Sequence, residues 1–165
     1  MVKLKFALAA ALLLLPSCSQ ASSDPASGSR PEAVASPEIH PESGLEIIDL
    51  AVVHGRERHE FRVEVAGSRF EQARGLMFRR AMGKDEGMLF PMEPPREASF
   101  WMKNTVISLD IIFIGTDGRI LNIAENAVPY SEEPRRAAGL AAAVLELNGG
   151  RAAELGIVPG DKVEW

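Results

Sequence analysis

The residues most able to do chemistry sit in one run, Ser99-Phe100-Trp101-Met102-Lys103-Asn104-Thr105, followed closely by Leu109-Asp110-Ile111-Ile112-Phe113. A Trp, a Lys, an Asn and an Asp stand there among apolar side chains. Polar groups at core positions are costly unless each is paired, so the run is a tightly wired structural corner or a binding site. In an extended segment, alternation puts Ala98, Phe100 and Met102 on one face, and Glu97, Ser99, Trp101 and Lys103 on the other. Phe100 and Met102 then read as core. Trp101, beside Lys and Ser, can stack on a ligand or cover a sheet edge. Asp110 shares a face with Ile112 and Ile114, and Glu146 repeats the theme in register with Ala142 and Val144. A carboxylate on an apolar face is rarely left alone. Asp110 can accept from loop amides near Asn104-Thr105, pair with Arg74 or Arg79, or serve as a buried acid. Asn104 can hold a turn through its own side chain. The candidate ligand-binding set is therefore Arg74, Arg79, Trp101, Lys103, Asn104, Asp110 and Glu146. The arginines would grip a carboxylate or phosphate bidentately, and a carbohydrate would stack on Trp101.

Two other chemistries have weaker supports. Five of the six methionines are Met77, Met82, Met88, Met92 and Met102, and thioethers suit Cu(I). Met77, Met88 and Met102 lie inside apolar runs, however, where Met is a common core filler. Catalysis lacks a local signature: there is no Gly-x-Ser-x-Gly elbow, paired-His metal motif or phosphate loop. The histidines are His40, His54 and His59. A hydrolase using Asp110 or Glu146 as general acid or base is the enzymatic alternative. The expectation is a non-catalytic domain with no cofactor and no metal.

The elements that must position these residues begin at Leu45. Glu46 to Val53 is rich in β-formers, His54-Gly55-Arg56 supplies a turn, and Phe61, Val63 and Val65 alternate with Arg62 and Glu64. Ser68 and Glu71 form a capping box, and Phe70, Ala73 and Met77 follow at helical spacing. Gly75 either ends this helix or lets it pack closely on a strand. Gly87 to Met92 reads as a strand that stops at Pro94-Pro95. Further strands are expected over 97–103, 108–114, 119–125 and 140–147, with a loop over 126–139 and a helical turn over 151–155. Thr116-Asp117-Gly118 marks a hairpin, and Val158-Pro159-Gly160-Asp161 suits a type II turn before a last strand. Many short strands with little helix predict a mainly β domain, a compact antiparallel sandwich or barrel.

The chain has 165 residues and one cysteine, Cys18. Lys3 and Lys5 precede an apolar stretch from Phe6 to Leu15, which reads as a signal peptide over 1–18. Leu15-Pro16-Ser17-Cys18 resembles a bacterial lipobox, making Cys18 a candidate lipidation site, although Pro16 is atypical there. Cleavage after Ser19-Gln20-Ala21 is the rival reading. Both export the protein, to the periplasm or to a membrane-anchored place at the cell envelope. Residues 19–44, rich in Ser, Pro, Ala and Gly, read as a disordered tether to one β domain over 45–165. The net charge of −5 argues against nucleic acid as a partner.

Four motifs in order, Arg74-Gly75-Leu76-Met77-Phe78-Arg79, Gly87-Met88-Leu89-Phe90, Phe100-Trp101-Met102-Lys103-Asn104-Thr105 and Leu109-Asp110-Ile111, resemble an uncharacterised prokaryotic family, the domain of unknown function numbered 192. The resemblance covers roughly residues 47 to 164. It implies a jelly-roll-like β domain with a small helix and brings no reaction, substrate or cofactor. Ser108 stands where the resemblance leads us to expect Pro. The sequence thus points to an exported domain that binds a small ligand or an envelope partner, with a lipid anchor if Cys18 is modified.

Overall fold

A computed structural model describes residues 36–165. The expected signal peptide, Cys18 and the tether as far as residue 35 lie outside the described residues. Eight strands alternate with two short helices: β1 (Glu38–Ile39), β2 (Glu46–His54), β3 (Glu57–Val65), α1 (Arg69–Arg74), β4 (Glu86–Phe100), β5 (Leu109–Gly115), β6 (Ile120–Ala127), β7 (Arg135–Asn148), α2 (Arg151–Glu154) and β8 (Lys162–Glu164). The domain is mainly β, as its composition of short alternating runs requires. All strands belong to one sheet of order β1-β2-β3-β4-β7-β5-β6, with β8 also pairing with β2, beyond β1 along the same edge. The sheet is not closed into a barrel.

The β2–β3 hairpin follows from the period-two alternation, with Leu50 opposite Phe61 and Ile48 opposite Val63. Pairing is antiparallel throughout except for β3 and β4, which run parallel with Val63 opposite Gly87. A parallel pair requires a crossover, and residues 66–85 provide it and carry α1. Residues 38–39 pair with β2, so the order of the domain begins inside the stretch that composition assigned to the tether.

The largest departure from the sequence reading is β4. It does not stop at Pro94-Pro95 but continues to Phe100. Its register against β7 shifts between Pro91 and Arg96, so residues 92–95 bulge out while both flanks stay paired. Proline lacks a ladder donor and is tolerated at such a bulge. The N-terminal part of β7, expected as loop, is extended because Ser99 and Phe100 pair with Arg136 and Arg135.

Alternate residues feed two apolar clusters. Leu89, Ile112, Ile114, Leu145 and Leu147 join one with residues from β2, β3, β6 and β8. Met88, Phe90, Met92, Ile111, Phe113 and Val144 join the other, to which Leu76, just past α1, and Met102 add cover. At roughly 25 cal/mol per Å² of buried apolar surface, such clusters dominate the stability of a cysteine-poor domain. The candidate site lies on the second of them.

Candidate functional site

The helix α1 forms as the sequence dictates. The Ser68 hydroxyl accepts from the Glu71 amide at 3.2 Å, and the Glu71 carboxylate accepts from the Ser68 amide at 2.7 Å. That bond holds the Glu71 carboxyl below its usual range. Gly75 ends the helix at φ 47° and ψ −137°, with its amide donating to the Glu71 carbonyl. A Cβ on Gly75 would sit 3.4 Å from the Phe90 ring. Both roles expected of Gly75, stop and close approach, are thus met.

Between this helix end and β4 lies a cleft of about 340 Å³, within the size range of small-molecule sites. Its walls include Phe90, Phe100, Met92 and Leu76, and its polar lining includes Gln72, Arg74, Arg96, Trp101, Lys103 and Glu146. Phe100 meets Phe90 edge to face at 5.0 Å between centroids, and Phe113 at 6.3 Å, which fixes the aromatic wall. Trp101 is 49 % exposed at the mouth. The Lys103 ammonium stands 5.1 Å from the centroid of its ring, a cation–π contact that orients both side chains.

Glu146 is the unusual member. It lies in the middle of β7, opposite Met88 of β4 and Ile111 of β5, and is only 5 % exposed. Its face is that of the apolar cluster, so water is largely removed from the carboxyl. Burial pushes its pKa from 4.5 up to about 8, and no hydrogen bond or opposing charge acts against that shift. At neutral pH the group is therefore mostly a neutral acid, able to donate one hydrogen bond.

Four of the seven candidate residues from the sequence thus come together here: Arg74, Trp101, Lys103 and Glu146. The other three have different partners. Asp110 is fully buried, and its carboxylate accepts from the amides of Asn126 at 2.8 Å, Gly150 at 3.0 Å and Ala152 at 2.8 Å. It ties the first turn of α2 and the end of β6 to β5. The amides it holds differ from those near Asn104-Thr105, and neither Arg74 nor Arg79 is its partner. Arg79 forms a two-pronged ion pair with Glu64, at 2.7 and 3.0 Å, and also meets Glu42 at 3.2 Å. The bonded Glu64 carboxylate raises the Arg79 pKa further. Asn104 takes a left-handed backbone, φ 55°, and its carbonyl accepts from the amide of Phe78, itself left-handed at φ 65°. Its side chain points at the Met77 sulfur, 3.8 Å away. Left-handed backbone in a bulky residue such as Phe78 is uncommon and persists only where the surroundings enforce it.

Sequence reasoning missed Arg96 and Gln72. The Gln72 amide donates to the carbonyls of Ala66 and Pro91 and accepts from Arg96 at 3.1 Å. Gln72 thereby pins the β4 bulge to α1 and aims Arg96. The only local signal was the break at Pro94-Pro95, which read as an end rather than a bulge. Met88, Met92 and Met102 are buried in the apolar cluster and Met82 packs against it, which is the filler role. Among the described residues no group of three or more His, Cys, Asp or Glu side chains could hold a metal ion.

Two solved structures resemble the domain closely. One is a protein of unknown function from Novosphingobium aromaticivorans DSM 12444, 59 % identical, with a TM-score of 0.77 over 80 % of this chain and 94 % of that one. The other, described as a putative transcription regulator from Sinorhizobium meliloti 1021, is 40 % identical, with a TM-score of 0.71 over 73 % of this chain and 94 % of that one. No curated protein matches the chain. The family model DUF192, described as Uncharacterized ACR, matches residues 51–165. With that match spanning most of the chain and all four motifs inside it, this protein belongs to the uncharacterised DUF192 family.

Proposed function

We propose that the domain is a non-catalytic binding module whose site is the cleft between α1 and β4, serving a small ligand at the cell envelope. The observation that carries this reading is Glu146. An unpaired carboxyl in an apolar cluster costs stability, and Met88 and Ile111 on either side offer it nothing in return. A costly, unpaired polar group in the lining of a cleft is what binding sites retain and cores eliminate. The exposed Trp101 and the left-handed Phe78 and Asn104 beside it support the same place. Export rests on the N-terminal sequence, and mass spectrometry of Cys18 from membranes tests the lipid anchor.

A carboxylate-dependent hydrolase is the second reading, favoured by one observation: an acid titrating near 8 suits proton donation at neutral pH. Asp110 is committed to three amides, and the cleft lining holds no second carboxylate or histidine to act as base. Binding therefore accounts for more of the geometry.

The test uses Trp101 as the reporter after Trp165→Phe. Aromatic acids, amides, amines and monosaccharides are titrated in turn. A saturable change in Trp101 emission, abolished by Ala73→Phe at the cleft mouth, is the expected result. No saturable response to any of the four classes would sink the reading.

A further inference from the structure

The cleft has a charge opposite to that of the whole molecule. The protein carries a net charge of −5, yet the charged residues lining the cleft are Arg74, Arg96, Lys103 and the buried Glu146. Most buried or half-buried cations in the domain are neutralised. Arg79 pairs with Glu64, Arg151 with Asp85 and Glu154, and Arg135 with Glu133. The exposed Arg58, Arg62 and Lys84 have carboxylate partners, whereas the exposed Arg56, Arg69, Arg80, Arg119 and Arg136 have none among the described residues, so what sets the cleft cations apart is that three of them line one cleft. Among the described residues, the three cleft cations have none within 4 Å. What orients them is uncharged: the Gln72 carbonyl oxygen for Arg96 and the Trp101 ring for Lys103. Three separate pieces of backbone deliver them, the last turn of α1, the bulge of β4 and the turn after β4. The same cleft is lined by Phe90, Phe100, Met92 and Leu76 and by the buried Glu146.

Taking the cleft as a ligand site, as proposed above, we infer that its ligand is a small amphipathic organic anion. An apolar body about the size of one or two rings lies against Phe90, Phe100 and Met92. A carboxylate or phosphate monoester at its outer end is held by Arg74, Arg96 and Lys103. Guanidinium groups bind such heads through paired, charge-assisted hydrogen bonds. A neutral acid in the lining adds a donor for an oxygen on the buried end, without repelling the anion as an ionised carboxylate would.

The experiment is calorimetric titration of the full chain with 2-naphthoate, 2-naphthyl phosphate and the neutral 2-naphthamide. The expected result is that at least one anion binds at least tenfold more tightly than the amide. Arg74→Gln and Lys103→Gln each weaken that anion severalfold and leave the amide unchanged. Both side chains are exposed and free of ion pairs, so these variants keep the fold. Preference for the naphthoate identifies a carboxylate head, and preference for the phosphate a phosphate monoester. Equal affinity for all three compounds overturns the anion assignment while leaving the cleft as a ligand site. Anion binding undiminished in the double variant Arg74→Gln/Lys103→Gln overturns it too, since the head is then held elsewhere. Failure of all three to bind at millimolar concentration overturns the assignment, while the cleft reading is decided by the Trp101 titration.

Discussion

Glu146 and Asp110 are both buried carboxylates on apolar faces, and their surroundings give them opposite effects on stability. Asp110 satisfies three backbone amides at once. Removing it strands those donors, each at a cost of about 1–3 kcal/mol. Asp110→Ala should therefore lower the melting temperature by roughly 10 °C or more, read by circular dichroism, and an unchanged melting point would contradict the structural role assigned to it. Glu146 has no such partners. Its folded-state pKa of about 8 lies above the usual 4.5, so the folded protein favours the protonated form. Stability linked to this group is complete below about pH 4.5 and is lost as the pH rises through 8. A shift of that size corresponds to about 5 kcal/mol at its upper limit. Glu146→Gln, which keeps the shape without the titration, should match the wild type near pH 4.5 and be clearly more stable at pH 8.5. Parallel pH profiles for the two proteins would show that Glu146 ionises freely. The same pair of measurements separates function from architecture, because a group that lowers stability at working pH is retained for something other than folding.

At the scale of elements, the site depends on two irregularities that bring α1 and β4 together. The β4 bulge across Pro94-Pro95 throws Arg96 toward α1, where Gln72 receives it. The glycine stop of α1 then turns the chain against Phe90. At φ 47° and ψ −137°, a side chain on Gly75 is strained, and its Cβ would also press on the Phe90 ring at 3.4 Å. Gly75→Ala should cost on the order of 1–2 kcal/mol, a drop of several degrees in the melting temperature. It should also alter the emission of Trp101, since Gly75 and Trp101 line the same cleft. An alanine variant as stable as the wild type, with unchanged emission, would remove Gly75 from the cleft architecture. The glycine stop was legible in the sequence, but the bulge was not. A double proline ordinarily ends a strand, and only the pairing of β7 on both flanks carries β4 through. By the same pairing, Arg135 and Arg136, poor candidates for a strand by sequence, become extended opposite Phe100 and Ser99.

At the scale of the whole domain, ion pairs fasten the stretch before β2 to the sheet, Glu42 to Arg79 and Glu38 to Arg62. Arg79, in the crossover, is 6 % exposed and meets Glu64 of β3 and Glu42 ahead of β2. His40 lies 3.5 Å from the same Glu64. Breaking a buried pair from one side leaves an uncompensated charge, at a cost of about 3–5 kcal/mol. Arg79→Ala should lower the melting temperature markedly and speed amide exchange selectively over residues 38–46. Exchange over residues 38–46 no faster than in the wild type would show that the pair does not hold that stretch. The arrangement also explains why Arg79 is no part of the proposed ligand site, even though it closes the same motif as Arg74. Five positions after Arg74, the crossover has turned the chain toward β3, where a buried Glu64 needs a cation.

What the sequence determined by itself is whatever depends on neighbours along the chain. The β2–β3 hairpin follows from alternation, the α1 start from Ser68 and Glu71, its stop from Gly75, and the mainly β class from many short runs between turns. The motif run was recognisable as unusual, and Arg74, Trp101, Lys103 and Glu146 were among its candidates. Only the tertiary structure sorted them. Period-two alternation names the face of a residue within its own strand, but it carries no information on which distant strand or loop lies across that face. Asp110 found three amides there and became architecture, whereas Glu146 found Met88, Ile111 and an open cleft. Two carboxylates with the same local pattern were separated by the long-range pairing of β4, β5 and β7, which decides where water, amides and cations can reach.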